Sequence, residues 1–480
     1  MSDSEVRPGG DGVEGEKGSA VKQGRRRWIL PITLAMLAGA VVTAGIAALL
    51  VNIMQRKSEG TTQPYRVVEL TEDTDDPAVW GQNFPLQYET YKKTTEMAPQ
   101  DQVPRQATAD DPRTVTAHSK IEADPRLVTI WQGYAFAVDY REPRGHEYML
   151  VDQQLTKRVT QFKQPGACLN CHASTVGVMK KLGNGSTTAG FDAMNKMTYA
   201  EASSNASHPV ACIDCHDPKT MKLRVTRPAL MEGLKAWKNN PGYDVNRDAT
   251  PQEMRTYVCA QCHIEYYFKG EGKTLTFPWK YGLTALDAVK YYDEEGWTDF
   301  EHTLTGAKAL KAQHPDFETF SQGVHARAGV TCADCHMSYL RSGATKFTDH
   351  QVRSPMATSE TINRSCLTCH RSTEAEMKGR VEQIQTRYEG TKNQAFDALD
   401  ALIQDLKKAQ TDGTPADRIA IAQSYQRRAQ FQMDYVVSEN SRGFHAPQYT
   451  MTLLADVTDS ARRGQLALRG DPQPMSSQPR

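Results

Sequence analysis

Three features of the 480-residue sequence predict a mainly α-helical protein with one membrane-spanning helix near its N-terminus and long helices near its C-terminus. The first is WILPITLAMLAGAVVTAGIAALLVNIM, residues 28–54, a run without a charged residue. It is long enough to cross a bilayer. The second lies near the C-terminus, where Met377, Val381, Ile384 and Tyr388 step by four, three and four, as do Ala395, Leu399, Leu402 and Leu406. That rhythm puts the apolar side chains on one face of a helix. The third is the intervening chain, where Gly, Pro and Asp punctuate short segments and strand-like alternation is scarce.

Taken in order, residues 1–27 are Gly-rich and charged without periodicity, and read as a disordered cytoplasmic tail. Five Lys or Arg lie between Lys17 and Arg27, against Arg56 and Lys57 beyond the apolar run. This bias keeps the N-terminus inside and sends the rest of the chain outside, with residues 28–54 as a transmembrane signal-anchor. A cleaved signal peptide, cut among the small residues Ala44 to Ala48, is the competing reading. Residues 55–76 are a polar linker, residues 77–370 the main body, residues 371–470 the long helices, and residues 471–480 a flexible tail. Thr414 is expected to cap a second C-terminal helix with Pro415 in its first turn, and Ala446-Pro447 to open a third.

All ten cysteines fall in five Cys-x-x-Cys-His runs: Cys168-Cys171-His172, Cys212-Cys215-His216, Cys259-Cys262-His263, Cys332-Cys335-His336 and Cys366-Cys369-His370. Such a run attaches a c-type haem through two thioethers, with the adjacent His as an iron ligand. Zinc would pair two Cys-x-x-Cys runs per metal, and five runs with a fixed His do not pair. The runs start 44, 47, 73 and 34 residues apart, which excludes a simple tandem repeat. A content of 39% apolar residues suits an interior filled partly by five covalent haems. RRRW invites a twin-arginine reading, which is discounted because that route exports folded proteins whereas covalent haem attachment occurs outside the membrane. A formal net charge of zero argues against nucleic acid and provides no bulk field for anions.

Each iron has a second axial position. Thirteen histidines less the five in the runs leave eight. The count therefore admits five bis-histidine haems, which would make an electron carrier, as well as fewer, which would leave an open iron for chemistry.

Several stretches resemble the ammonia-forming pentahaem cytochrome c nitrite reductases. They are GQNFPLQYETYKKT (81–94), DPRLVTIWQGYAFAVDYREPRGH (124–146), CAQCHIEYYFKG (259–270), KAQHPDFETFSQGVH (311–325), VTCADCHM (330–337), TDHQVRSP (348–355) and FHAPQY (444–449). The similarity runs from about residue 77 to 470 and keeps the family's motif order. It implies four distal ligands: His146 for the haem of Cys259, His350 for that of Cys212, His325 for that of Cys366 and His445 for that of Cys332. The haem of Cys168 is then the open one. Most of the family resembled attach that haem through Cys-x-x-Cys-Lys, whereas this chain carries His172, as a minority does.

The resemblance also implies a distal pocket of Arg158, Tyr266 and His314. Arg158 would bind the anion, Tyr266 supply hydrogen to partly reduced species, and His314 act as an acid titrating near neutrality. Glu265, Tyr266, Lys311 and Gln313 would hold calcium, with Lys311 contributing its main-chain carbonyl. The implied activity is six-electron reduction of nitrite to ammonium. A membrane quinol-oxidising multihaem cytochrome is the implied donor, and a homodimer seam along the long helices the implied assembly. Reduction of hydroxylamine, nitric oxide or sulfite, or electron carriage alone, stays open. His118, His208 and His302 match nothing and read as structural.

Overall fold

The computed structural model describes residues 20–61 and 66–471. The expectations for residues 1–19 and 472–480 lie outside the described residues. Two units divide the chain after Tyr65.

The first unit is one helix, Ala20–Thr61, whose apolar stretch Leu30–Met54 has a mean hydropathy of 2.4 over 25 residues. The helix runs past both ends of the uncharged segment. It therefore takes in residues 20–27, expected to be disordered, and part of the linker. Good helix formers flank the apolar run, and Pro31 lies inside the helix.

In the second unit, short helices and turns precede three long helices, Glu374–Ala409, Ala416–Ser438 and Pro447–Arg469. The chain is mainly α, as the sequence predicts. Among the described residues the strands form four separate two-stranded antiparallel ribbons, for example Tyr339–Ser342 against Thr345–Thr348 with Tyr339 opposite Thr348. The attachment runs begin in or directly after a short helix or helical turn, such as Gly166–Cys168, Cys212–Cys215, Cys332–His336 and the turn that follows Ser359–Ser365. A turn of helix sets two cysteines three residues apart on one side, the arrangement two thioethers to one macrocycle need.

Both apolar stripes of the sequence lie in the 36-residue helix Glu374–Ala409. It buries Met377, Val381, Tyr388, Ala395, Leu399, Leu402 and Leu406, while Ile384 is half-buried. Thr373 and Glu376 close a capping box at its start. The next helix starts at Ala416, with Pro415 in the capping position. Thr414 does not cap it, because its hydroxyl bonds Asp412 at 2.6 Å. Pro447 opens the last helix as expected.

Two large apolar cores and two smaller clusters result among the described residues. One surrounds the first attachment run and includes Leu169, Met179, Phe191, Met194, Trp279 and Phe317. The other joins Trp131, Tyr140, Tyr267 and Tyr292 to the inner faces of the long helices at Phe396, Leu399, Phe431 and Leu453.

Candidate functional site

The ten cysteines form no disulfide with one another. The runs lie against one another. Cys171 meets Cys262, Cys259 meets Cys332, and the Ser365 hydroxyl bonds the Cys335 carbonyl at 2.9 Å. This brings the runs of Cys168, Cys259, Cys332 and Cys366 together in that order, with the run of Cys212 beside those of Cys168 and Cys259.

Buried polar groups lace three runs together. Arg227, 1% exposed, donates to the carbonyls of Asn170 and Ala173 at 3.0 Å and to Asp214 at 2.5 Å. The Gln261 amide accepts from the main chain of Thr226 and Arg227 and donates to the Asp214 carbonyl. Asn170, Asp214 and Gln261 occupy the variable positions of their runs.

Four histidines outside the runs face four inside them. Ring centres are 6.3 Å apart for His146 and His263, 6.4 Å for His216 and His350, 6.2 Å for His325 and His370, and 6.3 Å for His336 and His445. A metal–imidazole bond of about 2 Å, with roughly 1 Å more from nitrogen to ring centre, puts two rings about 6 Å apart across one metal. Burial holds His146, His216 and His336 at about 4, so each is neutral and has a lone pair for a metal. The four pairs fit an iron between each two rings.

His172 differs. Its Nδ1 lies 3.1 Å from the Met149 carbonyl, and among the described residues no second imidazole faces it at such a distance. Arg158 and Asp152 lie near it, and His314 does as well. His118 and His302 are occupied elsewhere, bonding the carbonyls of Gln100 at 3.1 Å and Thr129 at 2.8 Å.

Around His172 and Cys168 lie the three expected pocket residues. Arg158 sits in the short helix Lys157–Thr160, with its guanidinium 4.3 Å from the centre of the Phe136 ring. Its hydrogen bonds go to neutral groups, the Thr156 hydroxyl and the Gln153 amide oxygen, both at 3.3 Å. Tyr266 is buried beside Cys168 and Cys171, and burial raises its phenol well above the usual value. Tyr134, which the sequence reading did not single out, is raised the same way beside Cys168 and Arg158. His314 is held by its main chain against Ile264, 3.2 Å away. Burial pushes its imidazole down to about 3, despite Asp316 nearby. In that state the ring is neutral and offers an N–H as a donor.

The four residues expected at calcium are also adjacent. Glu265, 1% exposed, accepts from the Gln313 main chain at 2.6 Å and from the Tyr292 hydroxyl at 2.8 Å. Burial lifts it well above the usual carboxylate range. The Gln313 amide lies 3.2 Å from the Lys311 carbonyl. Two acidic oxygens, an amide and a main-chain carbonyl are the donors a hard cation takes. The Lys311 side chain points away from them, into a buried ion pair with Asp434 at 2.9 Å beneath the Trp131 and Phe136 rings. Nothing local in the sequence marks this partner, which comes from the second long helix.

Fold and site together define a multihaem c-type cytochrome. Residues 76–472 match the family model described as cytochrome c552, and the chain belongs to that family. A cytochrome c-552 of Porphyromonas gingivalis is 37% identical over 393 residues, covering 80% of this chain and 74% of that protein. One from Bacteroides fragilis is 36% identical over 442 residues, covering 90% and 85%. Among solved structures, the catalytic subunit of cytochrome c nitrite reductase from Desulfovibrio desulfuricans, described with two calcium sites, superposes with a TM-score of 0.73. It is 28% identical, with 84% of this chain and 88% of that one covered.

Proposed function

We propose that this cytochrome reduces nitrite to ammonium on the extracytoplasmic side of the membrane, nitrite taking up six electrons and eight protons and releasing two waters. The observation that carries the reading is the contrast among the five runs. Four have a facing imidazole; His172 instead has Arg158, Tyr266 and His314 around it. The membership in the cytochrome c552 family and the likeness to a nitrite reductase support it.

Five covalent haems would be held by the five runs, with His146, His350, His325 and His445 as second ligands to four of them. When bound, they supply electrons one at a time and one open iron for the substrate nitrogen. The chain's own residues do the rest. Arg158, paired only with neutral groups, holds the anion by charge and by hydrogen bonds. Burial strengthens that attraction by excluding water. The neutral His314 donates its N–H to a nitrite oxygen, and negative charge on the substrate makes the ring easier to protonate again. Tyr266 keeps its phenolic proton and is a hydrogen donor for partly reduced nitrogen. Calcium on Glu265, Gln313 and the Tyr266 and Lys311 carbonyls would neutralise the buried carboxylate and fix the backbone that carries Tyr266 and His314.

The Leu30–Met54 helix would anchor the body to the bilayer, a membrane quinol-oxidising multihaem cytochrome would supply electrons, and two copies would meet along the long helices.

The test is a spectrum of the oxidised holoprotein with and without nitrite, run beside an ammonium-yield assay. One high-spin haem that nitrite perturbs, four low-spin haems that it does not, and ammonium as product are expected. Five low-spin haems indifferent to nitrite would make the protein an electron carrier.

A further inference from the structure

The Nδ1 atoms of the paired imidazoles do not all meet the same kind of group. Those of His216, His336 and His350 lie 2.9, 3.1 and 2.8 Å from main-chain carbonyls, as that of His172 does at 3.1 Å. His263 and His445 have carboxylates instead: Asp316 hydrogen-bonds the His263 Nδ1 at 2.9 Å, and Glu439 lies 2.6 Å from the His445 Nδ1 as a charge contact outside hydrogen-bond geometry. Both carboxylates are buried, and Asp316, Glu439 and His445 form one cluster with ligand atoms within 4.8 Å of one another.

The cluster is built to stay in place. Asn440 donates to Asp316 twice, from its main chain at 2.8 Å and from its amide at 2.9 Å. Ser441 donates to Glu439 twice, at 3.0 and 2.8 Å, and its hydroxyl accepts from the His445 main chain at 2.9 Å. The turn that follows the second long helix therefore carries His445, its carboxylate and the clamp on the other carboxylate. Its oxygens are committed to these donors and imidazoles, which argues against a separate metal ion there.

A carboxylate behind an axial imidazole pulls on the Nδ1 proton and makes the ring a stronger donor. A stronger, more anionic donor favours the ferric over the ferrous state. A main-chain carbonyl does so less. His172 has a carbonyl behind it and the positive Arg158 beside it, which favours the ferrous state there.

We infer that Asp316 and Glu439 are positioning residues that lower the potentials of the haems at Cys259 and Cys332, so that an electron runs downhill from the Cys259 haem to the reactive one at Cys168. This rests on the axial-ligand assignment proposed above. The pairs are adjacent in space, since Cys259 meets Cys332 and Cys262 meets Cys171. The step that the carboxylates tilt is thus the last before the substrate.

The experiment is a potentiometric titration of the full-length holoprotein followed by electron paramagnetic resonance. The wild type is compared with Asp316→Asn, Glu439→Gln and the restoring variant Asp316→Glu. A His146→Met variant identifies the signal of the Cys259 haem. In the wild type that haem should have a lower midpoint than the Cys168 haem. Asp316→Asn should shift its ferric/ferrous equilibrium about tenfold toward ferrous, about 59 mV for one electron. Glu439→Gln should do the same at the Cys332 haem, and Asp316→Glu should return the midpoint toward the wild-type value. Four low-spin signals with midpoints unmoved in both variants would overturn this inference alone, as would a Cys259 haem above the Cys168 haem in the wild type. Fewer than four bis-histidine signals in the wild type would instead remove the ligand assignment, and the inference with it.

Discussion

Arg158 carries its charge into a half-buried aromatic setting with neutral hydrogen-bond partners, so an incoming anion does not compete with a carboxylate for it. A hydrogen bond to a charged group contributes about 1.5–3 kcal/mol, which is about 10- to 100-fold in binding. Arg158→Ala should therefore raise the nitrite KM by about that factor while kcat changes less, the pattern of lost ground-state binding in steady-state assays. An unchanged KM would remove Arg158 from substrate binding. His314 is tested differently, because Asn keeps an N–H at the same place but cannot pass a proton. If the ring transfers protons, His314→Asn should cost about 10²-fold in turnover with haem content unchanged. Near-normal turnover would reduce His314 to a hydrogen-bond donor. Neither residue announces itself locally: LTKRVTQF reads as a solvated stretch, and both came from the family resemblance. Asp316, Glu439 and Asp434 were missed altogether. Their partners are distant in sequence, and an acidic residue in HPDF or SENS looks like any turn carboxylate.

At the level of elements, contacts between short segments hold the attachment runs, and small or buried polar residues make those contacts possible. Gly190 is one. A Cβ there would lie 1.7 Å from the Met179 carbonyl oxygen, so the helix Thr187–Lys196 could not keep its approach to Val176–Leu182. Overpacking typically costs about 1–3 kcal/mol. Gly190→Ala should reach the upper end of that range, because backbone must move, and a thermal melt of the holoprotein would measure it. A wild-type melting temperature would mean the two helices are free to separate. Arg227 is the other. Removing one partner of a buried ion pair costs about 3–5 kcal/mol. Arg227→Met should fall in that range, since it leaves Asp214 buried and also releases the Asn170 and Ala173 carbonyls. A loss near zero in denaturant unfolding would show that the lacing contributes little. The long helices were legible from apolar rhythm alone, because a stripe facing one core is a local pattern. The lacing was not, for Asn170, Asp214 and Gln261 stand where any residue satisfies the attachment motif.

At the scale of the whole molecule, the sequence divides its information unevenly. The attachment runs and the apolar anchor are contiguous and could be read directly. The pairing of His146 with His263 or His445 with His336 is a property of the folded chain, since each joins residues far apart in sequence. The division after Tyr65 separates an apolar helix from a body that contains all five runs, both cores and the three long helices. The proposed chemistry needs the bilayer only to keep the enzyme beside its electron donor. Residues 66–480, exported behind a cleavable leader, should therefore give a soluble protein with five haems. It should reduce nitrite at the full-length rate when a small-molecule reductant supplies the electrons. The full-length protein should sediment with membranes, and only it should couple quinol oxidation to nitrite reduction there. A truncated protein that fails to take up haem would assign the first unit a role in building the body. Truncated protein that couples to quinol as well as the full-length form would mean the anchor does not serve electron delivery.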